Sequence, residues 1–386
     1  MTSEKRPPIS KNTFSNFRER VTDYYKETGT DLIPEGLKVY LEESHRNDVI
    51  YRTKNDQTKS KLQKLLEDAK TLYDTAVNAD QEITYTEEFK LLKRMLGEQT
   101  DHDDDDFDDI DPDNIEAKDG KEIGSDILQN PSDPDANFRQ KYEANIGYTA
   151  NVVEFFDGNN SVIKSYDFKP NIYADQSFSA DTLDKLTNDP AVKIDAESPF
   201  KLFMDGAYYS YDLARKAIKA GIKYMPGELM GKKPAADKMT VYQNFDLDSN
   251  YENILSCAND KEPDYQEKNP DKNSFYAVFD FDKEKCADCR LKSECRIKAK
   301  KKHNSISFTE KQYETGKLRK TIGEKEYIKE CNQRAGVEGL PSVFRRKYNV
   351  DDMPVRSEVC QKIWFGFKVA AANFKKLLKG LKPATL

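Results

Sequence analysis

Histidine is scarce in this chain of 386 residues: His45, His102 and His303 are all there are. None stands near another candidate catalytic group, so Ser-His-Asp and Cys-His chemistry have no base to recruit. Long apolar runs are missing too. No stretch approaches the roughly 18 residues a membrane span needs, and the opening MTSEKRPPISKNTF lacks the apolar centre of a secretory signal. The expectation is a soluble, cytoplasmic protein. There is no glycine-rich phosphate loop, no dinucleotide fingerprint and no internal repeat. Cysteines number six, four of them clustered, which suits a reducing compartment and metal binding better than a disulfide framework. What is left for catalysis is carboxylates.

Charge is what the chain has in quantity. Charged residues make up 34% against 37% hydrophobic, and the formal net charge is −7. The charge is segregated: Asp101 to Asp113 reads DHDDDDFDDIDPD, whereas from Val343 onward ten Lys or Arg face three acids. A basic end suits phosphate backbones; the acidic run reads as a solvated linker.

A length of this kind predicts two or three domains. Residues 1–100 read as a helical region. It has a helical pattern around FSNFRERVTDYY, an amphipathic helix over 58–77 with Leu62, Leu65, Leu66, Ala69, Leu72, Tyr73 and Ala76 at helical spacing, and a second helix over 85–98. Residues 101–135, rich in Asp, Asn, Pro and Gly, read as a linker. Two strands follow, 146–156 and 161–168, joined by a turn at Asp157-Gly158-Asn159-Asn160. A helix is expected over 179–188 and a short strand over 199–204. Ser210 is placed to cap a helix ending before Gly221, and Ile222 begins another strand. Alternating strands and helices after an antiparallel pair predict an α/β domain over 136–386. Residues 226–325, polar and cysteine-bearing, read as an irregular insertion. In the terminal helix Val359, Ile363, Phe367, Ala370, Phe374 and Leu378 form the stripe expected to face the core.

Three constellations carry candidate chemistry. In FKLFMDGAYYS (200–210), Asp205 ends an apolar strand and precedes a glycine, which projects its carboxylate at the sheet's C-terminal edge; the plainer account is an Asp-Gly turn. In RAGVEGLPSVFRRKY (334–348), Glu338 precedes Pro341, expected to open a helix, and the cations Arg345, Arg346 and Lys347. An acid that holds a divalent ion beside cations that grip a strand is what phosphodiester chemistry uses; a loop glutamate next to a solvated helix is the alternative. Third, Cys286-x2-Cys289-x5-Cys295, with Cys257 upstream, could share a tetrahedral Zn2+ or remain free thiols.

As a set these segments are familiar. NPSDPDANFRQKYEANIGYTANVVEFFD (130–157) resembles a signature of a bacterial insertion-sequence transposase family of the acidic-triad (DDE) type. FMDGAYYSYDLARKAIKAGI (203–222) resembles its second-aspartate motif, and the cysteine cluster its insertion. RAGVEGLPSVFRRKYNVDDMPVRSEVCQKIWFGFKVAAANFKKLL (334–378) resembles the third-acid motif and terminal helix, and SKNTFSNFRERVTDYYKETGTDL (10–32) the N-terminal DNA-binding helices. The resemblance implies a ribonuclease-H-like mixed sheet flanked by helices, with Asp205 as second acid and Glu338 as third acid, holding Mg2+ or Mn2+. It also implies phosphate contacts from Arg345, Arg346, Lys347 and Lys362. The partner it implies is DNA at the element's terminal repeats, engaged by a homodimer on paired ends at the bacterial nucleoid.

One departure stands out. The strand that carries the first aspartate is expected between Leu32 and Leu37, but Asp31-Leu32-Ile33 runs almost directly into Pro34-Glu35-Gly36-Leu37. Two ions about 4 Å apart need several bridging carboxylates. The expectation is a transposase that binds DNA and carries out metal-dependent strand cleavage and transfer, with activity open to question for lack of the first aspartate. A non-catalytic remnant and a zinc-stabilised DNA-binding protein are the alternatives.

Overall fold

The computed structural model describes residues 7–29, 31–42, 58–79, 81–101, 112–119, 122–140, 144–157, 160–190, 192, 200–231, 244–281, 284–293, 295, 297–332 and 335–381. Most of the acidic run 101–113 and the centre of the turn at Gly158-Asn159 fall outside them. The chain divides into two compact units, one of residues 1–173 with 348–386 and the other of residues 174–347. The boundary expected near residue 135 falls inside the first.

The first unit opens with a helical core. Helices α1 (Pro7–Thr28), α2 (Thr58–Ala79) and α3 (Glu87–Gln99) bury the periodic positions that their sequences advertise, among them Phe17, Leu66, Leu72 and Leu92. Thr86 caps α3 by accepting from the Phe89 N–H. Between α1 and α2, the stretch expected to have lost a strand is a turn followed by a 3-10 helix, Glu35–Leu41. Leu32, Ile33 and Leu37 are all buried in the same core. The junction is sealed by packing.

Strands β1 (Asn137–Gln140), β2 (Ala144–Asp157) and β3 (Asn160–Pro170) form an antiparallel sheet in that order. The terminal helix α9 (Glu358–Leu381) lies on β3. Phe365 packs near Tyr166 and Phe168, with ring centroids 5.6 and 6.0 Å away. The Asn373 side chain accepts from the Ile163 N–H at 2.8 Å and donates to its carbonyl at 2.9 Å, acting as a further strand would. Lys376 pairs with Glu154, and Gly366 is the residue that lets the Tyr166 ring approach. Asp133 is buried and fully engaged: Tyr148 donates to one oxygen at 2.6 Å and Gln361 to the other at 2.9 Å. It ties α9 to the sheet.

Two expectations fail here. The stripe Val359, Ile363, Phe367, Ala370, Phe374, Leu378 is exposed, and the helix buries Phe365, Val369 and Ala372 instead. Both faces are apolar, so periodicity alone could not choose between them. The other failure is Pro341, which lies inside a helix rather than at its start.

In the second unit, helix α4 (Asp175–Asn188) precedes β4 (Phe200–Met204), α5 (Tyr211–Lys219) and β5 (Ile222–Pro226). Strands β4 and β5 pair in parallel as a sheet of two. The fold is thus mixed α/β with several small sheets among the described residues. Ser210 caps α5 as expected, accepting from Leu213 N–H, and Gly221 takes φ +74° just past its end. Residues 226–325 are not irregular. Strands β6 (Tyr265–Asn269), β7 (Ser274–Phe279) and β8 (Asn304–Thr309) form an antiparallel sheet with Lys298–Ala299 at its edge. Phe275, Ala277, Phe279, Ile306 and Phe308 close a core beneath it. Helices α6 (Glu310–Ile322), α7 (Lys325–Cys331) and α8 (Ala335–Tyr348) follow.

Candidate active site at the ends of the parallel strands

Asp205 follows β4 directly. Its side chain accepts the Gly206 N–H at 2.6 Å and opens a short 3-10 turn, Gly206–Tyr208. The carboxylate is exposed at the C-terminal end of a parallel pair, the edge where α/β sheets bind ligands. Gly206 is dictated by its surroundings. A Cβ there would stand 2.6 Å from the Glu228 carbonyl oxygen, a distance no side chain tolerates. The close approach is anchored from β5: Gly227 N–H donates to Met204 at 2.9 Å, and Tyr327 donates to Pro226 from a buried position at 2.9 Å.

The turn is braced on its other side. Tyr224 donates to the Tyr208 carbonyl at 3.2 Å and meets Ser179 of α4. Gln176 donates to Tyr209 at 3.3 Å. Burial pushes the Tyr209 phenol up to about 12, with the Glu314 carboxylate adding to the effect, so it stays neutral at ordinary pH. Tyr211 and Arg215 of α5 both engage Glu310 of α6, at 2.7 and 2.8 Å. Asp205 therefore sits on a rigid platform, which is what a metal or phosphate ligand requires.

Glu228 is the carboxylate that sequence reading missed. It is exposed and rises from the same edge as Asp205. Its signal was non-local, since only the fold brings its backbone to Gly206. Glu338 lies in the first turn of α8, and its side chain is outside the described residues. Arg345, Arg346 and Lys347 form the exposed last turn of α8, where cations also complement the helix dipole. Lys362 is exposed on α9, in the other unit.

The four cysteines are half-buried, and three of them, Cys257, Cys286 and Cys295, pack against the core of the 226–325 segment. Asp280 shapes their loop by accepting from Lys285 and Cys286 N–H groups at 2.7 and 2.9 Å. Burial pushes the Cys286 thiol up to about 11, helped by Asp280, and burial also raises Cys295. Among the described residues no three His, Cys, Asp or Glu side chains stand close enough to hold a metal. Burial thus favours the protonated thiol at Cys286 and Cys295. Magnesium has at most two described carboxylates here, Asp205 and Glu228.

A second feature went unread in the sequence. Arg290, Lys292, Lys298, Lys300, Lys301 and Lys302 are all exposed, with Lys300 over the Tyr276 ring. Of these, Lys298, Lys300, Lys301 and Lys302 make a basic edge on the segment's sheet. By contrast, the described cations of α1 are committed: Arg20 pairs with Glu27 and Lys26 with Asp23, and Arg18 is buried and donates to Tyr40.

Residues 256–378, from the first cysteine's neighbour to α9, match the family described as the transposase DDE domain. Over these residues the chain is similar to a transposase DDE domain. The match takes in Glu338, the basic turn of α8 and the cysteine-bearing sheet; Asp205 lies outside it. No curated protein and no solved structure matches the chain. Transposases of that family act on DNA and generally use divalent ions. No described helix of this chain is long and apolar enough to cross a membrane.

Proposed function

We propose that this protein is a transposase of the DDE type that grips DNA at its element's ends, as two copies, but has lost metal-dependent cleavage and strand transfer. Residues 1–100 and 136–386 correspond in this reading to the DNA-binding and ribonuclease-H-like catalytic regions. Asp205 and Glu338 are the second and third acids. When bound, Mg2+ or Mn2+ would supply activation of the attacking oxygen and charge neutralisation at phosphorus. The observation that carries the reading is the sealed junction: Leu32, Ile33 and Leu37 pack into the helical core, where the first acid's strand is expected. In a ribonuclease-H-like sheet that strand is central. Its loss accounts for three antiparallel strands in one sheet and two parallel strands in another.

For the grip on DNA, the support is the basic edge at Lys298–Lys302 together with Arg345, Arg346 and Lys347. A second reading, a cleaving enzyme, rests on Glu228, a further carboxylate at the Asp205 edge.

A nicking assay on supercoiled DNA carrying the element's ends, with magnesium or manganese, separates the two. The expected outcome is salt-sensitive binding and no nicking. Nicking that disappears in both Asp205→Asn and Glu228→Gln would replace the first reading with the second.

A further inference from the structure

Helix α9 is apolar on two sides. Its inner side, with Phe365, Val369 and Ala372, is buried against β3. On its outer side Ile363, Phe367, Phe374 and Leu377 are 54, 71, 67 and 59% exposed, and Val359 and Leu378 flank them at 66 and 62%. A helix apolar all round belongs in an interior. Side chains of this size leave roughly 600 Å² of contiguous apolar surface. That is at the upper end of what monomers show and close to the ~800 Å² per partner of a standard interface.

We propose that the outer side of α9 is the surface through which two copies of this chain pair. The spacing argues for a second helix as occupant. Cys360, Ile363, Phe367, Ala370, Phe374 and Leu377 recur at alternating intervals of three and four residues, and all are exposed. That is the seam of a two-helix coil, about 26 Å long at 1.5 Å per residue. Charge argues for a helix of the same kind. The positions beside the seam are Trp364, Ala371 and Leu378 on one side, and Gly366, Asn373 and Gly380 on the other. None is charged, so two identical stripes meet without repulsion. The small residue Ala371, exposed beside the seam, allows close approach. A stripe that fits itself is the condition for two-fold pairing. The nearby lysines, Lys368 and Lys375, fall outside the seam and stay in water.

The proposal gives a surface to the two-copy part of the functional reading, and its test needs no DNA. Sedimentation of the full chain at micromolar concentration is the experiment. The expected result is a dimer that Phe367→Glu and Phe374→Glu each weaken about a hundredfold, since each places a charge in an apolar seam. Phe367→Leu should keep the dimer. These side chains are exposed in the single chain, so the dissociated variants should keep the far-ultraviolet circular dichroism spectrum of the folded chain and lose only the concentration dependence of melting that a dimer shows. A wild-type chain that stays monomeric, a dimer that survives the double Glu variant, or a monomer that instead binds anionic lipid vesicles through this face would each overturn the proposal. DNA binding by a monomer would spare the transposase reading, and a dimer without DNA binding would spare this one.

Discussion

At Gly206 the next atom beyond the backbone is a carbonyl oxygen of another strand. Glu228 O stands 2.6 Å from where a Cβ would be, so Gly206→Ala must push β5 away from β4 or turn Asp205 out of place. Overpacking of this kind costs about 2 kcal/mol. The expected outcome is a melting temperature lower by several degrees, with Asp205→Asn, which removes a charge at an exposed position, close to wild type. Thermal melts of the two variants side by side check this. The Asp-Gly pair was readable as a turn in the sequence. That the glycine serves an approach between strands was not, because the approaching atom lies more than twenty residues away. Glu228 was hidden for the same reason. Ser210 shows the opposite case: an N-cap bonds three residues on, and short-range bonds are what a sequence displays.

At the level of elements, α9 and β3 hold one another through Asn373. Its amide satisfies both polar groups of Ile163 on an edge strand, the part of a sheet most exposed to unwanted pairing. Asn373→Ala leaves an N–H and a carbonyl half-buried without those partners, which costs about 2 kcal/mol; Asn373→Asp recovers the bond to the N–H only. Urea unfolding should rank wild type, Asp, then Ala. Helix periodicity told that α9 exists and where it begins, but a helix with two apolar sides gives no sign of which is inward. Phe365 decides the matter through Tyr166 and Phe168, contacts that only the folded hairpin creates. The 226–325 segment was misjudged by composition. Alternation at Phe275, Ala277 and Phe279 was present, set among enough Lys, Asp and Asn to read as loop.

Across the whole molecule, charge is sorted by place. The sum of −7 would discourage any phosphate partner, yet the exposed cations Lys298 to Lys302 stand together on one sheet edge. If that edge grips DNA, Lys301→Glu with Lys302→Glu should weaken binding across all sequences. It should also flatten the dependence of affinity on salt by about two contacts' worth. Fluorescence anisotropy over a salt series checks this; an unchanged slope would assign the grip to Arg345, Arg346 and Lys347 instead. The DDE character of residues 256–378 was legible from the motifs quoted there. What the sequence could not convey is how residues 31–42 close onto the helical core, since closure is a property of packing.

That closure has a consequence for the history of the gene. Leu32, Ile33 and Leu37 are buried in a core shared by three helices, so under the proposed loss of a strand the junction has become part of what keeps this region folded. A point substitution can put an aspartate back into the alphabet of the chain but cannot make a strand for it to stand on. An insertion that restored the strand would first have to pry apart side chains that now depend on one another. On the proposed reading the loss behaves as a ratchet: each mutation that improves the helical packing would move the protein further from a cutter and closer to a binder of DNA ends.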